Sequence, residues 1–270
     1  PMGSGLGIDT QPLPIEKRFH NDDYCGERAC TMLRSFPRNS PWFLQISWGS
    51  AHPPFDAAQE LVDRYCDVEF PPPVDTPDSV TDHQAVRRQY AAMIEGMDEW
   101  IGRVLSEVEA RGELDNTVVV FTADHGEMLG DHNCWNKGYA QDPSVRVPLV
   151  MSGPGIECGV QSDALVELID LAATFVELAG IQETPSDWDA RSLVDVLQGN
   201  SEKHRDFTTS GFNDWRQVCD GRYKYVEDPV GTPVMLYDLS VDPNENANLL
   251  SSQPEVVERL RKTLATELAG

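Results

Sequence analysis

The segment Thr122-Ala123-Asp124-His125-Gly126-Glu127-Met128-Leu129-Gly130-Asp131-His132, followed by Lys137-Gly138, holds the strongest set of residues able to do chemistry. Asp124 and His125 are neighbours, and on a strand adjacent side chains point to opposite faces. Just past a strand end the chain can turn, and Gly126 permits backbone angles closed to other residues. The carboxylate and the imidazole can then converge on one divalent cation, although two ligands alone bind it weakly. An Asp turn beside a surface His would give the same two residues.

The elements that must position this pair are legible. Thr117-Val118-Val119-Val120-Phe121-Thr122 is a β-branched run of strand length, and it ends where the pair begins. The carboxyl ends of strands are where α/β proteins place their sites. Before it, Tyr90, Met93, Ile94, Met97, Ile101, Val104, Leu105 and Val108 recur at helical spacing, predicting a helix from about Asp82 to Ala110 with Gly112 as the stop. The Met93/Met97 stripe reads as helix core. Upstream, Trp42 to Trp48 is an apolar run bounded by Pro41 and Gly49, read as a strand buried on both faces. It leads into Ala51-His52-Pro53-Pro54-Phe55, where two prolines enforce a loop. Residues 23–36 read as a helix with Tyr24, Ala29, Met32, Leu33 and Phe36 inward. Residues 1–22 read as irregular, and 59–82 as a long surface excursion.

After the site, Val145 to Met151 is a strand candidate ended by Gly153-Pro154-Gly155. Leu165 to Leu178 reads as helix at least from Asp170, stopped at Gly180. The pattern then changes. Arg216 to Cys219, Asp220-Gly221 and Arg222 to Val226 form a hairpin pattern. Val234 to Leu239 adds a strand, and Pro254 to Leu268 an amphipathic terminal helix with Val256, Val257, Leu260 and Leu264 on one face. The expectation is an α/β fold: a mixed, largely parallel central sheet flanked by helices in residues 1–182. Residues 183–270 then form a small α+β subdomain of antiparallel sheet plus terminal helix, with Trp188 and Trp215 burying its sheet.

Composition bounds the partners. Acidic residues outnumber basic ones 45 to 21 over 270 residues, a formal charge of −24 spread along the chain. Such a surface repels nucleic acid and anionic membranes, so an anionic substrate needs a local positive field. It reads as a solvated surface or as adaptation to a salty habitat. No apolar run reaches the roughly 18–20 residues of a membrane span. The start, Pro1-Met2-Gly3-Ser4-Gly5-Leu6-Gly7, has no signal-peptide pattern and reads as beginning within something longer. The six cysteines include no CxxC pair, no zinc-ribbon spacing suits them, and there is no N-x-S/T sequon.

Taken in order, these segments resemble the sulfatases of the alkaline phosphatase superfamily. His52-Pro53-Pro54-Phe55 is similar to the family's His-x-Pro-Phe loop. Asp124 to His132 resembles its C-terminal metal motif, and Lys137-Gly138 falls where it places an active-site lysine. Val145-Arg146-Val147-Pro148-Leu149 and Leu168-Ile169-Asp170-Leu171-Ala172-Ala173-Thr174 follow its pattern, the latter with Ala173 for the usual Pro. Tyr237-Asp238-Leu239, Asp242-Pro243, Glu245 and Asn248-Leu249 resemble its closing motif.

The resemblance implies a metal-dependent sulfuric ester hydrolase. Asp124 and His125 would ligate a divalent cation, usually calcium, with Mg2+ or Mn2+ as alternatives. Lys137 would donate to a sulfate oxygen, and His52 would contact the sulfate and protonate the departing alkoxide. His132, Trp135 and Asn136 would line the substrate region or support it. Cys134 reads as a packed thiol, Arg146 as half of a structural ion pair, and His20, His83 and His204 as surface residues.

The family's nucleophile is a formylglycine made within a C/S-x-P-x-R motif, and that motif is absent here. Cys30-Thr31-Met32-Leu33-Arg34 lacks the Pro, and Ser35-Phe36-Pro37-Arg38 misplaces the Arg. The family's N-terminal Asp-Asp pair is also absent, and Asp22-Asp23 follows no buried strand. The expectation is therefore a C-terminal part of a sulfatase, with negligible turnover and weak metal binding by itself. Its substrate would be a sugar, aryl or small alkyl sulfate, and its compartment periplasmic or extracellular. The alternatives are a phosphonate monoester or phosphodiester hydrolase of the same superfamily, or a non-catalytic relative.

Overall fold

The structure is a computed structural model that describes residues 10, 20–76, 82–181, 185 and 187–268. The chain divides into two compact units, Pro1–Thr117 with Glu127–Asn136, and Val118–Gly126 with Lys137–Gly270. The backbone therefore passes from one unit to the other three times, twice inside the motif that carries Asp124 and Lys137. The expected division at 182/183 lies within residues 182–184, outside the described set, and most of the reading of residues 1–22 also lies outside it.

The first unit is helical. Helix α1 is Asn21–Ser35, α2 is Gln59–Val62 and α3 is His83–Ala110. Asp82 caps α3 by accepting the Ala85 N–H at 3.0 Å. Gly112, at φ +70°, ends the helix, with Glu113 N–H returning to Val108 O at 3.2 Å. Helices α1 and α3 pack closely because Gly26 has no side chain, and a Cβ there would lie 2.2 Å from the Trp100 ring. The Trp100 indole N–H donates to Asp23 at 2.8 Å across the same contact.

Gly26, Ala29, Cys30 and Leu33 are the buried face of α1, whereas Tyr24 and Met32 of the expected stripe are exposed. The glycine contact sets the rotation of α1 and turns those two outward. Phe55, Ala57, Ala58 and Leu61 pack with Val86, Ala92 and Met93 in the core. So the part of 59–82 at Leu61 is core rather than surface excursion.

The run Trp42 to Trp48 is extended but belongs to no ladder, and its residues alternate between exposed and half-buried. Phe43 is 68% exposed. The expectation of a strand buried on both faces is corrected. One face is covered and the other is open, the period-two pattern of a half-buried segment.

The second unit holds both sheets. Strands β1 (Val119–Thr122) and β2 (Leu149–Ser152) pair antiparallel, with Phe121 opposite Val150. Between them lies a one-turn helix α4, Asp142–Val145, with Pro143 in its first turn. Val145 therefore closes a helical turn instead of opening a strand. Helices α5 (Asp170–Leu178) and α6 (Val194–Leu197) follow.

Strands β3 (Thr208–Phe212), β4 (Trp215–Cys219), β5 (Tyr223–Glu227) and β6 (Pro233–Asp238) form an antiparallel sheet in that order. Its core combines Val218, Tyr225 and Leu236 with Leu260 and Leu264 of α7, Pro254–Glu267. Trp215 is half-buried, but Trp188 is 41% exposed and does not bury the sheet.

The chain is α/β in class, with a C-terminal sheet and terminal helix as expected. Both sheets among the described residues are antiparallel, which corrects the largely parallel central sheet. A parallel pair needs a crossover of a dozen or more residues, usually built on a helix of several turns. The β1–β2 connection carries only two single turns of helix, Asp131–Asn133 and α4, and reverses. All six cysteines are thiols. Among the described residues no helix is long and apolar enough to cross a membrane.

Candidate active site

Asp124 and His125 leave the end of β1 in the second unit. The His125 ring is oriented by its own backbone neighbourhood, with Nδ1 lying 2.8 Å from Gly126 O. A carbonyl can only accept, so Nδ1 carries the proton. In the neutral ring Nε2 is then the basic nitrogen, the form in which imidazole binds a metal. That Nε2 stands 3.6 Å from Asp124 Oδ2. Asp124 also accepts the His125 N–H at 3.0 Å. A single ion with ligand bonds of roughly 2.0–2.6 Å can bridge such an oxygen–nitrogen pair. The Asp124 carboxylate is 88% exposed, so the pair opens outward.

Among the described residues, no cluster of three or more His, Cys, Asp or Glu is placed to hold a metal. The pair fits a divalent cation as two donors of an incomplete shell.

The turn after the pair is tied to the Lys137 loop through one residue that the sequence did not single out, Ser144. Its carbonyl accepts Gly126 N–H at 2.8 Å, and its hydroxyl lies 3.2 Å from Gly138 N and 3.4 Å from Tyr139 N. Ser144 is 3% exposed. Gly126 must be glycine, because a Cβ would lie 2.0 Å from Pro143 O. Gly138, at φ +99°, makes the turn just after Lys137, and Lys137 is exposed.

The C-terminal sheet grips the same loop. The Trp215 indole N–H donates to Gly138 O at 2.8 Å. Lys224, 2% exposed, reaches Ala140 O at 3.3 Å, ion-pairs with Glu245 at 2.7 Å and bonds to Asp142. Glu245 also accepts the Asp142 N–H at 2.6 Å. Burial holds the Glu245 carboxyl above the usual carboxylate range, with Lys224 pulling the other way. A lysine two residues into a hairpin strand gives no sequence sign of this role. Arg146 stands 3.8 Å from Asp142 and is 83% exposed, a weak surface pair.

His52, His132, Trp135 and Asn136 belong to the first unit. His52 is exposed, and its Nδ1 lies 2.7 Å from Pro53 O, so Nε2 is the basic nitrogen of the neutral ring. Residues 127–136 form a knot around Glu127, which accepts Asn136 N–H at 2.6 Å and Leu129 N–H at 3.3 Å. Leu129, His132, Asn133 and Asn136 all have positive φ, a concentration of strained backbone that the knot must hold. Asp131 accepts from Arg87 at 3.0 Å and from Val74 N–H at 2.9 Å. His132 N–H donates to Val74 O at 2.8 Å, and the Cys134 thiol lies 3.4 Å from His132 O, a packed thiol as read from the sequence.

Trp135 stacks on His83, with ring centres 5.5 Å apart and planes 7° apart. Burial, with Arg87 nearby, holds the His83 ring below the usual imidazole range. His83 is therefore a packing partner, and its reading as a surface residue is corrected. The same holds for His204, whose side chain is 7% exposed and lies 3.1 Å from Asp170. His20 is half-buried, with its Nε2 covered.

Asp170 is fully buried and collects the Arg205 guanidinium and the Glu167 and Arg191 N–H groups, the latter two at 2.9 Å each. Burial alone would raise its pKa. The bonds from Arg205 and the two N–H groups outweigh it, and the carboxyl sits below its usual range.

The sulfatase family model matches residues 12–181, and the model of the N-sulphoglucosamine sulphohydrolase C-terminal region matches residues 130–269. An arylsulfatase of Clostridium perfringens is 28% identical over 98% of this chain and 62% of its own length. An N-acetylglucosamine-6-O-sulfatase of Bacteroides thetaiotaomicron is 31% identical over 97% of this chain and 50% of its own. The solved phosphonate monoester hydrolase of Agrobacterium radiobacter superposes with a TM-score of 0.83 at 25% identity, covering 100% of this chain and 64% of that one. The chain thus spans between half and two thirds of these relatives. With its Asp-His pair at the end of β1, its lysine loop and its closing sheet all falling within those matches, the chain belongs to the sulfatase family of the alkaline phosphatase superfamily.

Proposed function

We propose that this chain supplies the metal- and anion-binding part of a sulfuric ester hydrolase. The observation that supports it most is the Asp124–His125 pair, 3.6 Å apart, joined through Ser144 to the loop of Lys137. Asp124 and His125 would hold a divalent cation, calcium by family resemblance, which when bound polarises the sulfate oxygens. The Lys137 ammonium would donate to a sulfate oxygen and offset charge on the leaving oxygen. His52, in its protonated form, would give a proton to the departing alkoxide. His132, Trp135 and Asn136 would keep the 127–136 knot in shape. A formylglycine nucleophile would come from outside these 270 residues, since no C/S-x-P-x-R motif lies within them.

A second reading, hydrolysis of phosphonate monoesters or phosphodiesters, is favoured by the structural likeness to the Agrobacterium enzyme. The test is a parallel assay of the full-length natural protein on 4-nitrophenyl sulfate and an aryl phosphonate ester. Faster turnover of the sulfate, abolished by Asp124→Ala, is expected. A much better phosphonate substrate would reverse the choice, and turnover that survives Asp124→Ala would sink both readings.

A further inference from the structure

The tip of the β3–β4 hairpin places two aromatic residues beside the lysine loop, and they have different work. Phe212 and Trp215 are cross-strand partners flanking a two-residue turn, Asn213-Asp214, with Asn213 at φ +43°. Trp215 uses its indole N–H on Gly138 O at 2.8 Å, so the tip is fixed to the residue after Lys137. Phe212 lies against the same glycine, its ring 3.3 Å from where a Gly138 Cβ would stand. Yet Phe212 remains 53% exposed, and neighbouring Tyr139 36% exposed. A hairpin tip ordinarily carries polar residues, and here it carries a ring of which about half faces outward.

An exposed lysine that immediately precedes the glycine covered by this fixed, half-open aromatic face suits an anion carried on a ring. In a chain of net charge −24, the Lys137 position would attract the anionic end, and the ring face would take the organic part. We propose that Phe212 is a specificity-determining residue, the surface on which the ring of a sugar or aryl ester lies while its anionic group turns toward Lys137. This rests on the hydrolase reading above and adds to it the recognition of the leaving group.

The test uses the full-length protein and two probes, 4-nitrophenyl sulfate and ring-free butyl sulfate, with glucosamine 6-sulfate distinguishing sugar from aryl rings. Phe212→Ala is expected to raise KM for the ring-bearing esters about tenfold, the scale of one lost ring contact, with kcat little changed. The inhibition constant of butyl sulfate should stay put, and Phe212→Tyr should restore KM. Equal weakening of ring-bearing and ring-free esters, or no change in either, overturns the proposal. If the wild type hydrolyses none of them, the hydrolase reading fails separately. The same esters are then titrated by calorimetry. A ring-dependent loss in Phe212→Ala still supports the platform, while equal affinities or no measurable binding overturn it.

Discussion

Replacing Lys224 by Met isolates the buried ion cluster that ties the C-terminal sheet to the lysine loop. The Lys224 side chain is 2% exposed and Glu245 1%, so neither charge is relieved by water. Met keeps most of the volume and removes the ammonium, leaving Glu245 as a buried carboxylate beside Asp142, which is 24% exposed. Breaking a buried pair from one side costs about 3–5 kcal/mol. For a chain of this size that is about 10 °C in melting temperature.

The pH dependence has a definite sign. The Glu245 carboxyl is already raised by burial, and Lys224 is what holds it down. A carboxyl with a raised folded pKa favours folding most when protonated, and that contribution is lost as pH rises through the folded value. Without Lys224 the folded value climbs further. The variant's deficit relative to wild type should therefore be small near pH 4.5 and largest at neutral pH. Urea unfolding followed by circular dichroism at pH 4.5 and 7.5 measures both. Adding Glu245→Gln to the variant should recover most of the loss at pH 7.5. A deficit under about 1 kcal/mol at neutral pH, or one that does not change with pH, would refute the view of Lys224 as a desolvated counter-charge.

Three further outcomes are expected. Asp170→Asn, which takes from the 4%-exposed Arg205 side chain its buried carboxylate and leaves it Glu167 at 3.6 Å, should cost about 3 kcal/mol in the same assay. Because the Asp170 carboxyl sits below its usual range, the wild-type advantage should be complete above about pH 4 and vanish as pH falls below it. Ser144→Ala removes the hydroxyl acceptor of Gly138 and Tyr139 but keeps the carbonyl that receives Gly126 N–H. Hydrogen exchange should quicken about tenfold at 138 and 139 and stay unchanged at 126, the signature of one lost bond of ~1 kcal/mol. Calcium titration of the 270-residue chain should show affinity weaker than micromolar, lost in Asp124→Ala, since two protein donors leave the ion largely hydrated. Sub-micromolar binding would contradict the two-donor site.

Much of this was legible because its causes are local. Helix α3 follows from apolar spacing, an Asp cap and a Gly at positive φ, all within a few residues of one another. The β4–β5 hairpin is announced by Asp220-Gly221, with Asp220 N–H bonding back to Tyr223 O at 3.2 Å. What stayed hidden depends on distant partners. A short apolar run such as Trp42 to Trp48 looks the same whether one face or two will be covered, and the exposure of Phe43 is decided elsewhere in the chain. β3, with Thr208, Ser210 and Gly211, is too weakly apolar to mark itself as a strand. His204 gives no sign in sequence of the Asp170 it meets 34 residues away. The site shows the same split. Asp124, His125 and Gly126 could be read because they are contiguous. Ser144, Trp215 and Lys224 act through a bond to a backbone group or a buried charge, and neither leaves a mark in sequence spacing.

The three passages of the backbone between the compact units have a consequence for how this molecule can be cut. Asp124 and Lys137 belong to one body, but the ten residues Glu127–Asn136 between them belong to the other. Those ten include Met128, fully buried. No contiguous segment can therefore be expressed as either body alone. A piece ending at Thr117 gives up part of its own interior, and a piece starting at Val118 carries a loop whose packing partners are left behind. The stretch bearing Asp124 and Lys137 doubles as the stitching of the protein, so a deletion that removes these side chains necessarily disturbs the packing of both bodies.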